Sequence, residues 1–369
     1  MNAGLRSRRS CGVIALALCG LIAASSLLRA ATGESVTLSA SDPRFTYEGR
    51  FDAQNPAAPV IIWQASRIRL NFEGDVLDLH FSAIKGQSFF NAEVDGQTEI
   101  IELREGQPPK GAELRHLGAG RHQLVLFKRS EAAAGEVRFD GATLAPGGQA
   151  LAATPVSTTL RMQFFGDSIT AGACNEDGEA DQWEDRRPHN NAQNYGAFTA
   201  AAFNADYRNI AVSGMGIAIG WTAVKAGEMW DRIYPRADSP RADLTTWSPD
   251  VVFINLGEND DSFTKAKDQP FPSRAYTDGY VALATAMRKA YPAAEIVILR
   301  GGMYGGAQSE RLREPWTEAV TQLEKTDPHL THFVFSHWSK THPRVSDHRA
   351  MADELITWLR QQSILSPAK

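Results

Sequence analysis

Between residues 34 and 145 apolar and polar side chains alternate with a period of two. Ile68, Leu70 and Phe72 alternate with Arg67, Arg69 and Asn71, and Leu77, Leu79 and Phe81 with Asp78 and His80. The run Ala92–Ile100 contains Asp95-Gly96, a pair suited to a tight hairpin, and Leu124–Phe127 and Val137–Phe139 add two more short runs. Strands that alternate in this way bury one face and wet the other, so residues 34–145 are expected to form an antiparallel β-sandwich of the jelly-roll kind. A Pro/Gly/Ala-rich stretch, Ala145–Pro155, follows, and residues 146–160 read as a linker.

Beyond the linker the pattern changes. Continuous apolar runs at Met162–Phe165, Tyr207–Val212, Val251–Leu256, Ile296–Leu299 and His332–Phe335 are separated by helical stretches at Tyr195–Asn204, Tyr276–Tyr291, Glu310–Lys325 and Asp347–Gln361. Met351, Leu355 and Leu359 recur at helical spacing behind Ser346, which reads as the N-cap. Strands without alternation are covered on both faces. Residues 161–365 are therefore expected to be an α/β domain with a parallel sheet, and such sheets bind ligands beyond the C-terminal ends of their strands.

The first thirty residues differ from both. Arg6, Arg8 and Arg9 precede the apolar run Gly12–Leu28, and Leu28-Arg29-Ala30 offers small residues for cleavage. Residues 1–30 are expected to be a secretory signal peptide, since the run is short and rich in Ala, Gly and Ser for a membrane span. Their loss would remove four arginines and no acid, moving the formal charge from −5 to −9. So acidic a chain is not expected to bind nucleic acid or an anionic membrane. Cys11 and Cys19 leave with the signal, and Cys174 reads as a small buried hydrophobe rather than a nucleophile.

Candidate chemistry clusters after the strand ends. Ser168 ends the first apolar run in Gly166-Asp167-Ser168; Ser213-Gly214-Met215-Gly216 follows the second and Gly257-Glu258-Asn259-Asp260 the third; Thr341-His342-Pro343 precedes the last helix. Fixed at the tip of a buried strand, a serine is placed for nucleophilic work if a base and hydrogen-bond donors converge on it. These ordered blocks, ending in His342-Pro343 and Met351-Ala352, resemble those of the SGNH, or GDSL-type, hydrolases. The resemblance implies a three-layer flavodoxin-like fold, Ser168 as nucleophile, His342 as general base and acid, and an oxyanion hole from the Ser168 N–H, the Gly214 N–H and the Asn259 amide. It implies no cofactor and no metal.

The family usually has an Asp two or three residues before the histidine, where this chain has Lys340 and Ser339. The expectation is a Ser–His dyad whose imidazole is oriented by a main-chain carbonyl, by Ser339 or by an acid from elsewhere. Asp260 and Asp347 read as structural, and Glu258, Asp260 and Asp261 as a solvated loop with one helix-capping acid. His332, His337 and His342 are evenly spaced but lack the companions of a zinc motif, and His348 reads as a solvated helical residue. Trp183, Trp221, Trp230, Trp247, Trp338 and Tyr304 lie near the predicted edge, with Trp338 and then Tyr304 the stacking candidates for a sugar ring.

A sandwich placed before such a domain, with Tyr47-Glu-Gly-Arg-Phe51 and Trp63-Gln-Ala-Ser-Arg-Ile68, resembles carbohydrate esterase family 2. That resemblance implies removal of O-acetyl groups from polysaccharides such as xylan and glucomannan, in the periplasm or outside the cell. Two rivals follow from the same residues: an acyltransferase or an esterase of lipids or other small esters, and a glycan-binding protein whose esterase domain has decayed.

Overall fold

The computed structural model describes residues 33–158, 160–362 and 365. The expected signal peptide lies outside the described residues. Gly33 onward forms one compact unit.

The N-terminal part is a curled antiparallel sheet of eleven strands. Its two layers are joined through one long strand, Leu77–Val94, whose first half pairs with Gly135–Leu144 and whose second half pairs with Gln97–Arg104 and Arg121–Lys128. The sequence reads this strand as two separate runs because alternation lapses across Ser82–Ser88, where Ala83 and Gly86 take positive φ as the strand changes layer. Strand Arg67–Glu73 buries every second residue, and Ile68, Leu70 and Phe72 meet Leu79, Phe139 and Leu144 in one core. Asp95 and Gly96 both have positive φ, at 51° and 83°, as a two-residue hairpin between Val94 and Gln97 requires. Part of the predicted linker is not free chain: Gln149–Ala150 pairs with Phe72–Glu73, and the Asn71 amide donates to Ala152 O and Thr154 Oγ1.

The second part has five parallel strands: first Arg161–Gly166, second Asp206–Ala211, third Val251–Asn255, fourth Glu295–Met303 and fifth Leu330–Ser339. Their spatial order is 2-1-3-4-5, the flavodoxin-like arrangement. Alternate residues of each strand serve opposite faces. Phe165, Ile254 and Ile298 meet helices Ser273–Ala290 and Glu310–Thr326, whereas Phe164, Phe253 and Val297 meet helices Tyr195–Ala202 and Val345–Gln361. The last helix starts at Val345 with Arg344 as N-cap, so Ser346 lies inside it. The carboxylate of Asp347, at the third helical position, reaches back to accept the Arg344 N–H at 2.8 Å, the reciprocal half of a capping box.

The sandwich docks on the α/β domain through buried side chains. Ile62, Trp63 and Ala132 belong to the same apolar cluster as the helices Ser273–Ala290 and Glu310–Thr326. The Trp63 indole donates to Ile233 O at 2.7 Å. Gln64 donates to Asn209 Oδ1 and Ala211 O on the second strand and accepts the Ala132 N–H, so a buried amide is satisfied across the junction. No helix among the described residues is long and apolar enough to cross a membrane.

Candidate active site

The first strand ends at Gly166, where no larger residue fits: a Cβ would stand 2.2 Å from Thr170 Oγ1 and 2.7 Å from Asn255 O. The Asp167 carboxylate then caps a one-turn helix, Ser168–Ala171, by accepting the Ile169 N–H. This sharp turn leaves Ser168 at the sheet's C-terminal edge.

His342 comes to it from the loop after the fifth strand. Its Nε2 is 2.9 Å from Ser168 Oγ, and its Nδ1 is 2.6 Å from Asp181 Oδ2. The orienting group left open in the sequence is thus an aspartate from the segment Asn175–Pro188, which corrects the expected dyad to a Ser168–His342–Asp181 row. Neither Ser339 nor Asp347 takes this place: Ser339 Oγ donates to Thr341 O, and Asp347 pairs with His337. Burial pushes the Asp181 carboxyl up, but hydrogen bonds from His342 and Arg344 more than offset this and hold it far below the usual carboxylate range. Arg344 fixes the segment further, donating to Asp181 Oδ1, Cys174 O, His342 O and Gly178 O. A sequence signal for Asp181 did exist: an acid-rich stretch carrying a tryptophan directly after the serine block.

Gly214 has φ +84°, a left-handed conformation that is the reason for glycine there. Among the described residues neither its N–H nor that of Ser168 donates to a protein group. Asn259 is 6% exposed, and its amide donates to Asp167 Oδ2 at 3.1 Å and to Met215 O at 3.0 Å. Both amide hydrogens are therefore engaged. Burial, with Glu258 and Asp260 alongside, pushes the Asp167 carboxyl well above its ordinary range.

Asp260 and Asp261 are buried rather than solvated, and Glu258 is half-buried at the cavity wall. Asp260 accepts three backbone N–H groups, from Ile217, Ala218 and Ile219, and so shapes the loop that follows Gly214. Asp261 takes Ser309, Lys265 and Arg311, and Glu258 takes the Gly306 N–H. The three evenly spaced histidines diverge to different acids, Glu324, Asp347 and Asp181. His348 is fully buried, not solvated; burial pulls it down to about 3, and its Nδ1 accepts the Tyr195 N–H. Cys174 is buried and lies beside Asp181, and burial pushes its thiol up, away from the thiolate.

Ser168 and His342 open into a cavity of about 510 Å³ that also presents Gly214 and Asn259. Its aromatic walls are Trp183 and Trp221, 37% and 52% exposed, instead of Trp338 and Tyr304. Those two pack edge to face with centroids 6.0 Å apart, and Lys265 Nζ covers the Tyr304 ring at 4.1 Å. Trp183 also meets the His342 ring edge on at 5.1 Å. A further wall comes from the sandwich, unforeseen in the sequence. Glu131, 1% exposed, accepts the Ser213 N–H at 2.9 Å with one oxygen and Arg186 with the other, and Arg186 lies over Trp183.

The comparisons agree with this architecture. Residues 164–356 match the GDSL-like Lipase/Acylhydrolase family, and residues 47–155 match the family Carbohydrate esterase 2 N-terminal. The chain belongs to the GDSL-like hydrolases. Within that class it is similar to the family 2 carbohydrate esterases. It is 30% identical over 350 residues to Cellulase/esterase CelE of Acetivibrio thermocellus, covering 89% of this chain but 41% of that protein, so it spans about two fifths of that relative. To an Acetylxylan esterase / glucomannan deacetylase of Cellvibrio japonicus it is 26% identical over 328 residues, 84% of this chain and 88% of that one. A family two carbohydrate esterase from Clostridium thermocellum, solved in complex with cellohexaose, superposes with a TM-score of 0.77 at 29% identity, covering 86% of this chain and 98% of that chain.

Proposed function

We propose that this protein is a serine esterase that removes O-acetyl groups from xylan- or glucomannan-type polysaccharides. The observation that carries the reading is the continuous row from Ser168 Oγ to His342 Nε2 at 2.9 Å and from His342 Nδ1 to Asp181 at 2.6 Å, opening on an aromatic-walled cavity. The names borne by its relatives supply the substrate class.

Ser168 Oγ attacks the acetyl carbonyl while His342 Nε2 takes its proton, with Asp181 stabilising the imidazolium that forms. The carbonyl oxygen, now anionic, is held by the Ser168 and Gly214 N–H groups, and by Asn259 once its amide shares a hydrogen now given to Asp167 or Met215. His342 then protonates the departing sugar oxygen, leaving acetyl-Ser168. Water, deprotonated by the same imidazole, attacks this ester, and collapse releases acetate and restores the serine. Trp183 and Trp221 offer faces to the C–H side of a sugar ring. The signal-like pattern of residues 1–30 supports action outside the cytoplasm.

The test is acetate release from acetylated xylan and acetylated glucomannan by the protein and its Ser168→Ala and His342→Ala variants. Free acetate from the parent protein alone is the expected result. Acetyl transfer to a second sugar without free acetate would mark an acyltransferase. Polymer binding without turnover by the parent protein would mark a decayed esterase.

A further inference from the structure

A second cavity, of about 480 Å³, lies between the sandwich and the α/β domain and shares no residue with the Ser168 cavity. It is lined by Gln163 of the first strand, five residues before Ser168, so at 3.3 Å per residue the two are about 16 Å apart along the chain.

Two guanidinium groups face it, Arg50 from the sandwich and Arg208 from the second strand. Arg50 donates through Nη1 to Trp230 O and Arg232 O, both at 2.9 Å. Arg208 lies 4.0 Å over the Trp247 ring. Among the described residues it has no hydrogen-bond partner, and its Nε is buried without one. Burial lowers both arginines to about 10, each lacking a carboxylate in direct contact. Asp206, the nearest acid to Arg208, already serves Arg67 and the Trp247 indole. Gln163, 2% exposed, turns its Nε2 toward the Tyr291 hydroxyl without a close hydrogen bond.

Two like charges and two unsatisfied donors at one half-buried cavity favour an anion that completes them. The space also exceeds what an inorganic oxyanion fills, and Tyr47, Trp247 and Tyr291 are among its lining residues. Two acids, Asp52 and Asp243, line it too and are engaged by the Tyr234 hydroxyl and the Thr245 N–H. They would repel an anion but accept from hydroxyl groups, so the lining carries both cationic groups and hydroxyl acceptors. We propose that it binds a carboxylate-bearing sugar of monosaccharide size, its carboxylate on Arg50 and Arg208 and its hydroxyls towards Asp52 and Asp243.

Titration calorimetry and thermal melting of the full protein would use sodium glucuronate, glucose and sodium phosphate as probes. Saturable glucuronate binding that raises Tm, with no response to glucose, is expected. Arg208→Gln should weaken it about tenfold or more, as loss of a charged hydrogen-bonding partner does, and leave acetate release unchanged. Should Arg208→Gln not fold, Gln163→Leu removes the amide at nearly constant volume and must also weaken binding. Equal responses to glucuronate and glucose, or unaltered affinity in whichever variant folds, would overturn the proposal. Phosphate binding as tightly as glucuronate would overturn the sugar half of it.

Discussion

A serine hydroxyl attacks an ester only when a base takes its proton as the bond forms, so the setting of His342 decides whether Ser168 reacts. Asp181 holds that imidazole from the far side, with its charge kept on by hydrogen bonds from His342 and Arg344. Because its pKa is depressed, Asp181 stays ionised throughout the range in which a histidine base works. Protonation of Asp181 is therefore not expected to be the cause of acid inactivation. Asp181→Asn would keep the shape and discard the charge. It should lower kcat on an acetyl ester by about 10²–10⁴ with little change in KM. A loss of less than tenfold would mean that the Ser168–His342 pair works without the acid. The sequence pointed to Ser168 and His342 because each sits in a short contiguous motif. Asp181 escaped it, since the segment holding it reaches His342 only through the folding of loops 161 positions apart.

At the scale of elements, the turn that follows the strand Arg121–Lys128 ties the sandwich to the site. Lys128 is fully buried, and its ammonium donates to Ser130 O and Glu131 O, fixing the residue that accepts the Ser213 N–H next to Gly214. Burial pulls Lys128 from 10.5 down to about 7. Between those values the unfolded chain still holds this proton while the folded one has released it. Stability should therefore rise as pH goes from about 7 to about 10, by up to roughly 4 kcal/mol. Urea midpoints across that range should climb for the parent protein and stay flatter for Lys128→Met. Parallel pH profiles would show that Lys128 keeps its proton in the folded state. Asp260 plays a comparable part on the other side of Gly214, and Asp260→Ala would strand three backbone donors. A loss of about 2–4 kcal/mol in the unfolding free energy is expected, as a buried polar network missing one partner costs. Strands and helices were legible from periodicity, which each segment carries by itself. The burial of Asp260 and His348 and the role of Glu131 were not, because what sets them is packing by other segments.

For the whole molecule, the change from alternating to continuous apolar runs marks where one architecture gives way to the other, but not that the two share a core. Trp63, read in the sequence only as part of a motif resembling the family 2 N-terminal strands, lies with Ile62 in the cluster that also holds Tyr276, Leu283 and Trp316. With Gln64 hydrogen-bonded to Asn209 and Ala211, and Glu131 walling the Ser168 cavity, separation would expose apolar surface and strand buried polar groups in both halves. Each half should therefore unfold with the other. Differential scanning calorimetry should give one transition whose calorimetric and van't Hoff enthalpies agree. Trp63→Ala, which removes about 3–5 kcal/mol of core packing, should lower that single Tm and esterase activity at elevated temperature together. Two transitions in the parent protein, only one of them moved by Trp63→Ala, would instead describe independent domains. In that case the wall supplied by Glu131 would be a contact made after folding and not a condition of it.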